Sequence, residues 1–277
     1  MPLERHSKAY KNSGFLNSSD ARTIRILSEY LEPMSRLRYH KVWDSVVFFG
    51  SARMQPQDRA EEMQRTAQEV VDSYKDADVP EEAKRALQEA KIHLKNSRYY
   101  EDARELSRLL SGWFKTMPEK EQMVVCSGGG PGIMEAANRG AHEAGHKSIG
   151  LNISLPFEQY PNEYITPELN FEFHYFFMRK FWFTYPSRGI VFFPGGFGTM
   201  DEMMEVLTLV QTDKLKKKLS MVLYGSDFWN KIINFQGMVE EMVISPEDLD
   251  LFRICDTPQD AFNHLKLELT RGTVANE

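Results

Sequence analysis

Two glycine-rich segments have the residue types and spacing that most directly suggest chemistry in this sequence. They read Ser127-Gly-Gly-Gly-Pro-Gly132 and Pro194-Gly-Gly-Phe-Gly-Thr199, and each lies between an apolar run and a segment with helical periodicity. Glycines let the backbone approach a ligand closely, and the unpaired N–H groups at the start of a helix bind phosphate. We expect both loops to hold an anion, with the Thr199 hydroxyl as a further donor. The alternative for either loop is a tight turn without a ligand.

The spacing of these glycines also narrows the class of nucleotide-binding protein. It matches neither G-x-G-x-x-G nor G-x-x-x-x-G-K-[ST]. The sequence therefore disfavours dinucleotide-dependent redox enzymes and P-loop NTPases.

Three carboxylates follow the second loop. Asp201 is interpreted as a complement to the helix dipole. Glu202 and Glu205 are three residues apart, so they share a helix face. We expect Glu202 to be functional because it lies close to Thr199. For Glu205 both interpretations, a complement to the helix dipole and a functional carboxylate, remain open.

Two adjacent cations, Arg179 and Lys180, lie in the aromatic stretch 174–183. A guanidinium in such a setting can bind phosphate or ribose oxygens as a fork, with Met178 and nearby aromatic side chains lining a base. The alternative is an arginine whose aliphatic stem covers apolar surface.

Short β-branched and aromatic runs alternate with helical segments, and they must position these residues. Five runs are typical of strands buried on both faces: 45–49, 123–126, 148–152, 189–193 and 221–224. Residues 171–176 and 252–255 are weaker candidates. The alternation predicts an α/β fold with a doubly wound parallel sheet and helices on both faces.

The chain is predicted to be one nucleotide-binding domain, residues 41–270, preceded by an extension, residues 1–40. Ser19-Asp20 is expected to cap a helix through Tyr30 that Pro33 ends. Two long charged helical segments delay the second strand, so we predict a helical insertion at about 55–97.

Composition excludes several classes of protein. The net charge of −6 argues against nucleic-acid binding. No apolar stretch is long enough to span a membrane, and the first residues do not resemble a signal peptide. Two cysteines suit reduced thiols in the cytoplasm. His142 and His146 lack a third ligand nearby, so no metal site is expected.

Taken together, three motifs resemble the LONELY GUY (LOG) family of cytokinin riboside 5′-monophosphate phosphoribohydrolases, often labelled lysine decarboxylases. They are the first loop continued through Ile-Met-Glu135, Met178-Arg-Lys180, and the second loop continued through Met-Asp-Glu202. The resemblance runs from about Asp44 to Asp256, outside the insertion. The N-terminal extension, the insertion and residues 150–159 resemble the longer bacterial members.

The resemblance implies a Rossmann-like fold, a homodimer or larger assembly, and a site near the subunit interface. Arg179 and Glu202 correspond to the family's catalytic pair, and we expect Glu205 to hold a ribose hydroxyl beside them. Residues expected to bind substrate are Ser51, in the first strand-to-helix turn, Gly129, Gly130, Met178, Lys180, Gly195, Gly196, Gly198 and Thr199.

The expected reaction is hydrolysis of the N-glycosidic bond of AMP or an N6-modified AMP, with no cofactor and no metal. A non-catalytic nucleotide or molybdenum-cofactor carrier is the alternative, although such a carrier has no need of Arg179 with Glu202. Lysine decarboxylation requires a pyridoxal phosphate Schiff base. Lys180 is the only lysine near the expected site, and no pyridinium partner is evident in the sequence, so that activity is disfavoured.

Overall fold

A single sheet of seven parallel strands is the framework of the protein. The computed structural model describes residues 8–74, 78–155 and 160–274. The strands are β1 (Asp44–Phe49), β2 (Met123–Ser127), β3 (Ser148–Ile153), β4 (Asn170–Phe173), β5 (Ser187–Phe192), β6 (Ser220–Tyr224) and β7 (Arg253–Cys255). They pair in the order β4-β3-β2-β1-β5-β6-β7, and every pairing is parallel.

Helices cover both faces of this sheet. They are α1 (Ser13–Leu16), α2 (Arg22–Tyr39), α3 (Gln57–Asp72), α4 (Glu81–Phe114), α5 (Ile133–Glu143), α6 (Phe176–Thr184), α7 (Phe197–Gln211), α8 (Ser226–Ile232), α9 (Phe235–Glu240) and α10 (Pro258–Val274). Short 3-10 turns occupy Ala9–Lys11, Pro167–Leu169 and Pro246–Leu251. Among the described helices, none is both long enough and apolar enough to cross a bilayer.

The core divides into two apolar layers, one on each side of the sheet. Side chains of α2, α6, α7 and α8 pack in the first layer, and those of α4, α5 and α10 pack in the second. Because both faces are covered, strand residues such as Val46 and Val47 are fully buried although they point in opposite directions. The predicted α/β fold with a doubly wound parallel sheet is confirmed.

All seven predicted strands are present, with one difference at residues 171–176. The strand there ends at Phe173, and α6 begins at Phe176. Arg179 and Lys180 therefore lie on a helix.

Helix α4 runs for 34 residues without a break. Its buried positions begin at Ala90 and are densest from Tyr99 to Phe114, where it packs on β2 and α5. No structural break marks residue 97, the predicted end of the insertion.

Helix α2 corrects the prediction that Pro33 ends a helix. It starts at Arg22 and continues through Pro33 to Tyr39. Proline donates no N–H to the carbonyl four residues earlier, here that of Glu29. The Trp182 indole N–H on α6 bonds that carbonyl instead, at 2.9 Å. The interior proline is tolerated because a neighbouring helix satisfies the freed acceptor.

The order of the strands places a crevice between β1 and β5. The chain adds β2, β3 and β4 on one side of β1, then crosses over and adds β5, β6 and β7 on the other. Ligands of open parallel sheets bind at the carboxyl ends of the strands where the direction of addition reverses. The loops after β1 and β5 lie at this position.

Candidate active site

A cavity of about 790 Å³ opens at the carboxyl ends of β1 and β5. Its wall is formed by the loops after β1, β2 and β5, together with α6, the first turns of α7, and α8. Seven of the residues predicted for the site line it: Ser51, Arg179, Gly195, Gly196, Gly198, Thr199 and Glu202. Five others do not: Gly129, Gly130, Met178, Lys180 and Glu205.

The loop after β5 leads directly into α7. Phe197 is the first residue of the helix, Gly196 is its N-cap, and the Met200 N–H bonds the Gly196 carbonyl at 3.0 Å. Gly198 and Thr199 therefore lie in the first helical turn.

The N-terminus of α7 has the properties of an anion site. Within the described part of the chain, no side chain caps it, and a Cβ atom built on Gly196 or Gly198 would meet no atom within 4 Å. The unpaired amides and the helix dipole present partial positive charge to the cavity. Thr199 is buried against Gly195, where a Cβ would overlap its side chain.

The loop after β2 contributes only its first glycine to the cavity wall. The Gly129 carbonyl accepts hydrogen bonds from the backbone N–H and side-chain Nδ2 of Asn162, at 2.8 and 3.0 Å. Asn162 Nδ2 also bonds the Gly130 carbonyl, at 3.1 Å. The Gly129 N–H bonds Ser127 Oγ, at 3.1 Å. Gly129 and Gly130 are buried, so the structure does not place these predicted phosphate binders against the cavity.

Arg179 reaches the cavity from α6 and is held at several points. Its Nε donates to the Leu151 carbonyl at 2.7 Å, and Nη2 donates to the Gly128 carbonyl at 3.3 Å. The guanidinium lies 5.0 Å from the centre of the Phe183 ring. Burial lowers the pKa of Arg179, while the charge of Glu202 opposes that shift. Nη1 has no hydrogen-bond partner among the described residues, so this nitrogen can donate to a ligand.

Glu202 lies in the cavity wall one helical turn beyond the open end of α7. It exposes 8% of its surface, and no hydrogen bond to its carboxylate comes from the described part of the chain. Burial raises the pKa of Glu202 to about 7, although Lys180 and Arg179 act to lower it. Such a group can exchange its proton near neutral pH, which suits general acid–base chemistry.

Lys180 and Glu205 are paired with each other at the side of the cavity. The Lys180 ammonium lies 2.6 Å from a Glu205 carboxylate oxygen and 2.8 Å from one of Asp201. Met178 is buried in the apolar layer of α6. Periodicity placed Glu202 and Glu205 on one helix face, but a lysine on another helix takes up Glu205.

Ser51 lines the cavity and also shapes the turn after β1. Its N–H donates to the Pro194 carbonyl, its carbonyl accepts from Ile133, and its Oγ accepts from the Arg53 N–H. These bonds fix the three strand-to-helix loops relative to one another. The Ser51 hydroxyl proton is still available to a ligand.

Sequence reasoning missed two prominent residues of the cavity wall, Arg53 and Phe197. The Arg53 side chain is exposed and makes no hydrogen bond or ion pair with the described residues. Phe197 exposes 96% of its surface. A cation four residues after the end of β1, at the predicted sheet edge, was a signal that could have identified Arg53.

No group of three or more potential metal ligands occurs in residues 8–74, 78–155 and 160–274. His146 bonds the Met123 carbonyl at 2.9 Å, and His142 lies against the Tyr164 ring. Both histidines thus have contacts that involve no metal.

Comparison with known proteins identifies relatives of this chain. Residues 134–265, just under half of the chain, match the family model described as "Possible lysine decarboxylase". The rice (Oryza sativa subsp. japonica) protein named "Probable cytokinin riboside 5'-monophosphate phosphoribohydrolase LOGL6" is 27% identical over 147 residues, which are 52% of this chain and 57% of that protein. The Arabidopsis thaliana cytokinin riboside 5'-monophosphate phosphoribohydrolase LOG3 is 27% identical over 147 residues, 52% of this chain and 66% of its own. The chain thus spans less than two thirds of either relative.

Solved structures also align with the chain. The structural-genomics target TM1055 covers 81% of this chain and 99% of its own, with 17% identity and a TM-score of 0.44. The molybdenum cofactor carrier protein MCP from Chlamydomonas reinhardtii covers 82% and 99%, with 14% identity and a TM-score of 0.42. Similarity this low adds nothing to the fold described above. The family match and the plant relatives agree that this chain is similar to proteins described as possible lysine decarboxylases and to cytokinin riboside 5'-monophosphate phosphoribohydrolases of the LOG type.

Proposed function

We propose that this protein hydrolyses the N-glycosidic bond of a nucleoside 5′-monophosphate. Water supplies the hydroxyl that bonds C1′ and the proton that the departing base receives, so the products are the free base and ribose 5-phosphate. The observation that carries the proposal is the buried carboxylate of Glu202, which accepts no hydrogen bond from the described residues and lies one turn from the N-terminus of α7, beside the Arg179 guanidinium.

The phosphate is assigned to the open end of α7. The amides from Gly196 to Thr199 bind its oxygens, and Arg53, also on the cavity wall, adds a positive charge. Binding energy from this remote group positions the sugar for reaction. A nucleoside without a phosphate is therefore expected to be a poor substrate.

Glu202 is assigned to the sugar. Cleavage passes through a ribosyl cation with oxocarbenium character, which a nearby carboxylate can stabilise or supply with an activated water. Arg179 orients the nucleotide through its free Nη1 and stabilises negative charge on the leaving base. Glu205 has no part in contacting substrate in this scheme because Lys180 holds its carboxylate.

The proposal extends to substrate and assembly. AMP and N6-modified AMP are the expected substrates, as the names of the plant relatives include a riboside 5′-monophosphate. We place the reaction in the cytoplasm and in a homodimer or larger assembly. Two free, buried cysteines are compatible with a reducing compartment.

Glu202→Gln tests the catalytic assignment. We expect release of adenine from AMP to fall by at least about 100-fold, because the amide cannot act as a base or carry negative charge. AMP binding, measured by calorimetry, should persist. A thermal melt controls for folding.

Two other results would change the proposal. Equal rates of adenine release from wild type and Glu202→Gln would remove Glu202 from the reaction. A wild-type protein that binds AMP but releases no adenine would instead be a nucleotide carrier.

A further inference from the structure

Lys180 joins the two helices that carry Arg179 and Glu202. From α6, its ammonium contacts Asp201 at 2.8 Å and Glu205 at 2.6 Å, both on α7. The lysine side chain is only 17% exposed, whereas Asp201 is 61% exposed and Glu205 is 38% exposed. The ion pairs are therefore partly shielded from water at the lysine.

The sequence positions of these charges are informative. Lys180 follows Arg179 directly, and its two partners lie one residue before and three residues after Glu202. Fastening Lys180 to both partners therefore fixes the separation of α6 and α7 where Arg179 and Glu202 face the cavity. Lys180 lies outside the cavity lining, and Asp201 and Glu205 take up two of its three N–H donors.

We propose that Lys180 is a positioning residue, which holds the α7 carboxylates so that Glu202 meets the sugar and which places a positive charge beside Glu202. This inference rests on the proposed function of Glu202, and it adds a role for Lys180, Asp201 and Glu205, of which Asp201 alone also lines the cavity.

The charges around Glu202 support this role. On α6 they are Arg179 and Lys180, and on α7 they are Asp201 and Glu205. Burial has the largest effect on the pKa of Glu202 and raises it. Lys180 and Arg179 act to lower this pKa, whereas Glu205 and Asp201 act to raise it further.

Besides Arg179, the described cavity lining contains one other cation, Arg53, which belongs to the loop after β1. The other elements that line the cavity near α7 contribute apolar residues, among them Phe228 and Ile232 of α8.

Two ways of breaking the same ion pairs give opposite electrostatic effects. Lys180→Met removes the cation and leaves two unpaired carboxylates beside Glu202. The double variant Asp201→Asn/Glu205→Gln removes both carboxylates and leaves an unpaired cation. A role limited to holding the helices together would make the two variants alike.

The experiment is the pH dependence of kcat/KM for AMP. In the wild type, activity should rise with pH around a midpoint of about 7, because Glu202 acts in its ionised form. We expect the midpoint to move up by about one pH unit in Lys180→Met and down by a similar amount in the double variant. Lys180→Arg keeps the charge, and it should leave the midpoint in place.

A second readout does not need turnover. Carbon-13 NMR of the glutamate carboxyls, with the Glu202 signal assigned by its loss in Glu202→Gln, follows the same titration in each variant. It also serves if Lys180→Met unfolds, since the double variant alone must still shift downward. If the two variants shift the Glu202 titration in opposite directions but the wild type does not hydrolyse AMP, the role proposed for Lys180 stands and the proposed hydrolase activity is rejected. Shifts in one direction, or none, would overturn the role of Lys180.

Discussion

The two glycine-rich loops look alike in sequence, yet their glycines serve different physical purposes. In the loop after β2, Gly129 and Gly132 have positive φ angles of 76° and 69°, and the Gly129 and Gly130 carbonyls are bonded by Asn162. In the loop after β5, neither Gly196 nor Gly198 has a positive φ, and both face open space.

The difference shows what a glycine motif can and cannot indicate. A glycine needed for chain geometry or close packing leaves few backbone groups for a ligand. A glycine that the protein itself does not need, placed on a cavity wall, indicates room kept for something bound. On this basis the loop after β5 is the anion site, and the loop after β2 supports it through Gly128 and Arg179.

The largest expected effect is on stability, from Gly132→Ala. A Cβ there would lie 2.7 Å from the Ala52 carbonyl carbon, in a backbone region that alanine rarely adopts. We expect the free energy of unfolding in urea to fall by about 3–5 kcal/mol.

Gly145→Ala is the matched control for backbone strain. Its φ is 64°, but the nearest atom to a Cβ is the end of Lys115, at 3.4 Å. The loss there should be about 1–2 kcal/mol. Equal losses in the two variants would mean that the loop after β2 is not close-packed.

The next effect is on activity, from Gly198→Ala. The added methyl group should be tolerated by the fold within about 1 kcal/mol, since alanine favours helix. It would occupy the space assigned to the phosphate and displace the nucleotide, so we expect kcat/KM for AMP to fall by about 100-fold.

Gly112→Ala controls for the change in helix propensity. Gly112 is exposed on α4, and a Cβ there also meets nothing within 4 Å. That variant should be slightly more stable and fully active. Full activity of Gly198→Ala as well would remove the distinction between the loops.

The smallest expected effect is on AMP binding and concerns Arg53, which the loop after β1 contributes to the cavity wall. Arg53→Gln removes one charge-assisted contact to the phosphate, so the Kd for AMP should rise by about tenfold while that for adenosine stays unchanged. Arg65→Gln, which removes the same charge from an exposed position on α3, controls for net charge. Equal weakening of AMP and adenosine would place Arg53 on the base or sugar.

The sheet was predictable because strands buried on both faces leave continuous apolar runs, and even the weak candidate for β7 was correct. The presence of Arg179 and Glu202 on one cavity was also anticipated. The sequence did not predict the partners of the neighbouring residues. Several side chains share one helix face, and contacts with other elements determine which of them face the cavity. Glu205 is taken up by Lys180, and Gly129 by Asn162, through contacts that no local pattern records.

One link described above ties two distant positions together. The Glu29 carbonyl receives no helical N–H from position 33 and accepts from the Trp182 indole instead, and the Glu29 carboxylate accepts from the His174 and Tyr175 amides just before α6. Any other residue at position 33 would bring a second donor to that oxygen, which then depends less on the indole. Pro33 and Trp182 should therefore be kept together or replaced together in related sequences. Homologues that keep both residues are those in which α2 is expected to contact the arginine-bearing helix in this way.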